Sequence, residues 1–227
     1  MKTKYTTILT LSALMGTSHA VTTLVDFSSA TPTPGTAQGG NFWTEVGSDA
    51  ATNLLDTTDG SNTGWVITTN TSASARVGYG GNGINGDGAA APFDQSFAII
   101  DGLYSSSPGA DGLGIITLSN LSANTTYDFV VYTDRATSWS PANGEINTTV
   151  GTGPSALVTP KDALTSFSII SDDFGVAAFT ITEGPTGDFS GVGIVLNAMS
   201  ITEAIPEPAT TVLFFAAGAG FLLRRRR

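Results

Sequence analysis

Between residues 21 and 205 no stretch holds an apolar stripe at 3.6-residue spacing over three turns, which argues against a helical core. Short apolar runs recur instead. They cover Thr23 to Phe27, Gly64 to Thr69, Gln95 to Ile100, Gly114 to Leu118, Thr126 to Thr133, Glu145 to Val150, Ser166 to Ile170, Gly175 to Thr182 and Gly191 to Ile201. Each is bounded by Gly, Pro, Asn, Asp or Ser, the residues that make turns. About nine strands so spaced predict an all-β chain folded as an antiparallel β-sandwich, because two half-apolar sheets must cover one another.

Two runs read in detail. Tyr127, Phe129 and Val131 alternate with Asp128, Val130 and Tyr132, so one side is wholly apolar and the other mixed, as in a strand with one buried face. Val192 to Ile201 reads as a single final strand, with Ile194-Val195-Leu196 buried on both faces. Trp43 and Trp65 stand in strand-like text and are expected in the core. Thr31 to Gly40 and the Gly-rich stretch 78–91 read as long loops.

Neither end of the chain reads as globular. Lys2 and Lys4, the apolar Ile8 to Met15 and the small-x-small Ser18-His19-Ala20 have the form of a secretory signal cut after Ala20. At the other end, Pro206-Glu207-Pro208 precedes the uncharged Ala209 to Leu223 and then Arg224, Arg225, Arg226 and Arg227. The prolines forbid regular pairing and hold an extended handle. As a helix the fifteen uncharged residues span about 22 Å, short of the roughly 30 Å hydrocarbon core. Arginine stems and local thinning make up the difference, and the arginines place that end in the cytoplasm. The expected organisation is a signal peptide at 1–20, a sandwich domain at 21–204 and a tail with a short transmembrane helix at 205–227.

That tail resembles the PEP-CTERM sorting signals. The resemblance implies recognition by an exosortase, a membrane cysteine protease-like enzyme, with cleavage near Pro206, Glu207 and Pro208. It also implies transient residence in the inner membrane and then release to the cell surface or extracellular matrix. An ordinary uncut anchor is the alternative. Gly114 to Phe129 and Ser190 to Glu203 resemble strands of jelly-roll modules related to galactose-binding-like and malectin-like domains, which implies a jelly-roll-like sandwich.

Composition removes several chemistries from the delivered domain. It has no cysteine, and His19 lies in the signal, so Ser-His and Cys-His triads and the usual nitrogen- and sulfur-ligated zinc sites are excluded. Arg76, Arg135 and Lys161 stand against eighteen acids from Asp26 to Glu203, a net charge of −15. Such a surface repels phosphate backbones and excludes nucleic acid as a partner.

Three readings remain for the domain. In the first it binds polysaccharide without catalysis, through Trp139 beside Asp134, Arg135 and Asn143. An aromatic ring flanked by polar groups suits the flat C–H face of a sugar. Those residues also read as a paired Arg135 and a Trp139 covering the core edge. In the second, a structural matrix protein is stabilised by calcium at Asn82, Asn85 and Asp87, or at Asp172-Asp173 or Asp56 to Asp59, although no pattern supplies the six to eight oxygens required. In the third, two carboxylates cleave a glycan as a hydrolase or lyase, but no spacing nominates a pair. No other cofactor is expected.

Overall fold

The computed structural model describes residues 20–27, 37–47, 49–70, 75–79, 91–93, 101–105, 112–133, 144–159, 163–183 and 195–205. Contacts divide the chain into a unit Val21–Pro206 and a second unit, Met1–Ala20 with Glu207–Arg227, which apart from Ala20 lies outside the described residues.

The described residues form fourteen strands: β1 (Thr22–Asp26), β2 (Thr44–Glu45), β3 (Ala51–Leu55), β4 (Asn62–Asn70), β5 (Ala75–Tyr79), β6 (Asp101–Ser105), β7 (Ile115–Ser119), β8 (Thr126–Thr133), β9 (Gly144–Val150), β10 (Leu157–Thr159), β11 (Ala163–Ile170), β12 (Ala177–Glu183), β13 (Val195–Leu196) and β14 (Ala198–Glu203). One sheet runs β11-β8-β14-β1-β2, a second β10-β9-β12-β7-β4-β3 and a small third β13-β6-β5. All pairs are antiparallel except β1 with β2, which is parallel.

Four strands of the first sheet, β11-β8-β14-β1, face four of the second, β10-β9-β12-β7. From β7 to β12 the chain changes sheets at each connection except the β9–β10 hairpin, and it crosses again from β12 to β14. That order is the jelly roll, two interlocked Greek keys. The expected all-β, jelly-roll-like sandwich is therefore present.

Alternation fills its interior. Tyr127, Phe129 and Val131 of β8 point inward and are buried. Phe129 stacks on Phe167 of the neighbouring β11 at 5.0 Å, and meets Phe179 of the opposite sheet edge-on at 5.7 Å. Trp65 of β4 lies in the same core, while Trp43 is buried elsewhere, on the outer face of the first sheet.

Two expectations are corrected. The loop read from residue 78 starts later, because Gly78 and Tyr79 end β5 and pair with Gly102 and Asp101 of β6. The run Val192 to Ile201 does not form a single strand, because Asn197 separates β13 from β14. The Asn197 amide donates to the Tyr132 carbonyl at 3.0 Å, and its carbonyl accepts from the Phe27 amide at 2.9 Å. This backbone jog carries the chain from the third sheet into the first. The expected Gln95 to Ile100 strand lies outside the described residues. Among the described residues no helix is long and apolar enough to cross a membrane, and Ala209 to Leu223 lies outside them.

Candidate functional site

The two ends of the sandwich differ. At one end the connections are tight and fully described: residues 56–61, 120–125, 151–156 and 171–176. Both chain ends of the domain leave there. Thr22 and Thr202 share a hydroxyl hydrogen bond at 3.1 Å, the Glu203 amide donates to the Val21 carbonyl at 3.0 Å, and the Ala204 amide donates to the Thr126 carbonyl at 2.9 Å. This is the tail end.

The opposite, loop end gathers the last residues of β1, β4, β8, β10 and β12 with the first residues of β9, β11 and β14. Registers fix this: Ala198 pairs with Asp26 and with Tyr132, Ala163 with Thr133, and Gly144 with both Thr159 and Glu183. Residues 71–74, 134–143, 160–162 and 184–194 join β-strands at this end. The 134–143 connection leaves β8 at Thr133 and enters β9 at Gly144, in the opposing sheet.

The predicted cluster Asp134, Arg135, Trp139 and Asn143 belongs to that connection and lies outside the described residues, as do Asn82, Asn85 and Asp87. The same holds for Pro206, Glu207, Pro208 and Arg224 to Arg227, whereas Ala20 is described and precedes β1.

What the structure does place at the loop end is a second apolar cluster, on the outer face of the first sheet. It joins Leu24, Trp43, Phe93, Tyr132 and Ala198, with Val130 against it. Trp43 meets Phe93 edge-on at 6.2 Å, and Phe93 stacks on Tyr132 at 6.4 Å. All three rings are buried, so they brace this end and offer no open platform to a ligand. Asp26, also buried, holds the last position of β1 in the same cross-strand row as Tyr132 and Ala198. Burial of Trp43 was legible in its strand-like text, but its partners were not, because Phe93 and Tyr132 come from distant parts of the chain that no local pattern links.

In the acidic turns considered for calcium, one oxygen of each of Asp56, Asp59 and Asp172 accepts from backbone amides of its own turn, and one of Asp173 from the Asn124 side chain. Asp56 Oδ1 accepts from the Thr58 amide at 2.7 Å, and Asp59 Oδ1 from the Ser61 amide at 2.8 Å. Hydrogen bonds from the Ser61 side chain and backbone hold the Asp59 carboxyl below its usual range. Asp172 Oδ1 accepts from the Phe174 and Val176 amides at 2.9 and 2.8 Å, and Asp173 Oδ1 from Asn124 Nδ2 at 3.1 Å. Among the described residues no group of three or more His, Cys, Asp or Glu is placed to hold a metal.

Comparison with known proteins gives one motif match. Residues 204–227 match the PEP-CTERM protein-sorting motif, so the chain carries that signal at its C-terminus. No curated protein matches the chain in sequence. Among solved structures, a Bacillus subtilis protein, YxiM, is similar at 16% identity, covering 82% of this chain and 41% of its own, with a TM-score of 0.43. The CBM22-1 xylan-binding domain of Paenibacillus barcinonensis Xyn10C follows at 9% identity, 63% and 87% coverage and a TM-score of 0.38. The CBM22-1-GH10 modules of Clostridium thermocellum xylanase 10B, solved with xylohexaose, give 11% identity, 69% and 24% coverage and 0.27. This chain thus spans less than half of the Bacillus protein's length.

Proposed function

We propose that the chain is exported, held in the inner membrane by its C-terminal segment, cut there by an exosortase, and delivered as a non-catalytic polysaccharide-binding module of the cell surface or extracellular matrix. The observation that carries the reading is the polarity of the sandwich. The sorting tail leaves from the end with tight turns, while the connection bearing Trp139, Asp134, Arg135 and Asn143 attaches at the opposite end. A domain held by its tail therefore turns that connection outward. There a Trp ring can cover a sugar face while amide, carboxylate and guanidinium groups bond its hydroxyls.

The strong negative charge of the domain suits a neutral glycan and disfavours an anionic one. The test is retention of the exported protein on a panel of immobilised polysaccharides. Trp139→Ala is expected to abolish retention with the unfolding midpoint unchanged. Absence of retention on every polysaccharide would leave a passive matrix role in place of binding. Release of reducing ends, lost on substitution of one carboxylate, would reinstate catalysis.

A further inference from the structure

Phe174 is the most exposed large hydrophobic side chain among the described residues, at 88%. It sits in the 171–176 turn, at the tail end. Two further exposed apolar residues share that end, Ile170 at 41% and Ile205 at 37%. Ile170 pairs with Thr126, whose carbonyl accepts from the amide of Ala204, the residue before Ile205. Three of the six exposed large hydrophobics among the described residues thus lie at the end from which the tail departs.

The turn is built to present the ring. Asp172 Oδ1 accepts from the Phe174 and Val176 amides, the Asp172 amide donates to the Val176 carbonyl at 2.9 Å, and the Leu121 amide donates to the Gly175 carbonyl at 3.0 Å. Phe174 is therefore held outward on a fixed support.

We propose that this end rests on the lipid bilayer while the tail is inserted, with Phe174 entering the interface beside Ile170 and Ile205. The inference depends on the membrane-held precursor proposed above. Tether length selects the occupant. Only Pro206, Glu207 and Pro208 separate Ile205 from the apolar Ala209, four Cα steps or at most about 14 Å. The apolar segment that follows is about 8 Å shorter than the hydrocarbon core, so its outer end is drawn inward. That tether keeps Ile205, and with it the end of the sandwich that carries Phe174, near the headgroups, where an aromatic ring partitions well. Charge selects the lipid. Asp172 and Asp173 immediately precede Phe174 in a domain of net charge −15, so contact is apolar and favours zwitterionic over anionic headgroups.

The test uses the full chain in phosphatidylcholine vesicles carrying brominated acyl chains. F174W reports the turn, F215W reports the tail, and the parent chain gives the background of its own tryptophans. The expected result is at least a twofold loss of the added emission in both variants, with little change for F174W on raising salt. Quenching of F215W without F174W would overturn the inference and leave the membrane-held reading standing. Quenching of neither would overturn both. Shielding of F174W from an aqueous quencher that appears only with rising protein concentration, or only when the sorting enzyme is added, would assign the ring to a second copy or to that enzyme and overturn lipid contact.

Discussion

Tyr127 stands edge-on to Trp65 across the two sheets, with ring centroids 5.3 Å apart and planes at 88°. Its hydroxyl oxygen accepts a hydrogen bond from the Ser122 amide at 2.8 Å. One side chain thus joins the sheets and anchors the β7–β8 turn at the tail end.

Tyr127→Phe keeps the ring contact and removes the acceptor, which is expected to cost about 1 kcal/mol in urea unfolding at pH 7. The alkaline limb tests the same group. Burial raises the Tyr127 phenol above its usual value, with the Ser122 hydrogen bond opposing in part. The unfolded chain therefore releases this proton first. The stabilisation is complete below about pH 10 and is lost as pH climbs through the raised folded value. The parent chain should lose stability between pH 9 and 11 more steeply than Tyr127→Phe, and equal slopes would assign the loss to other groups.

Two glycines separate backbone strain from steric conflict. Gly64 has φ of 82° and open space where a Cβ would stand, whereas Gly175, at 69°, would drive a Cβ into the Leu121 carbonyl. Gly64→Ala should cost about 1 kcal/mol, the left-handed penalty alone. Gly175→Ala should cost at least about 2 kcal/mol more, because the Leu121–Gly175 hydrogen bond must open. Similar unfolding midpoints for the two variants would contradict this packing of the 171–176 turn.

Asp172 tests the calcium reading at the described turn. Asp172→Ala removes the acceptor for the Phe174 and Val176 amides and should cost about 1–2 kcal/mol. If the carboxylate serves only the turn, the loss is the same in calcium and in chelator. A loss that appears only in calcium would make Asp172 a ligand.

The sequence carried the fold through its alternation. Strands β1, β4, β7, β8, β9, β11 and β12 each coincide with an apolar run, because a sandwich interior demands a residue every second position. Strands β2, β3 and β10 escaped notice for the opposite reason. They are short pieces at or beside sheet edges, and much of Ala51–Leu55 faces solvent. The break at Asn197 was hidden because it is made by backbone bonds to Phe27 and Tyr132, partners that no local pattern reveals. Phe174 went unread because it lies outside any apolar run, between Asp173 and Gly175, and its place at the tail end is set by Thr126, which links Ile170 to Ala204.

Sorting and folding should separate cleanly at Ile205. The last described hydrogen bond of the domain is that of the Ala204 amide to Thr126, so nothing described in the core depends on residues 206–227. Replacing Pro206 and Pro208 with alanine, or Arg224 to Arg227 with alanine, is therefore expected to leave the domain's unfolding midpoint unchanged, the proline variant staying uncut in the membrane fraction and the arginine variant losing its hold on the membrane and its normal delivery. The two changes act through different physics: loss of the stiff handle withholds the cleavage site, and loss of four charges removes the cytoplasmic pin of a segment already too short to span easily. Mass measurement of the parent protein from the culture fluid should give a chain beginning at Val21 and ending near Pro206 to Pro208. Recovery of that protein with its four arginines intact, or unchanged delivery of the arginine-free variant, would remove the basis for assigning its export to this tail.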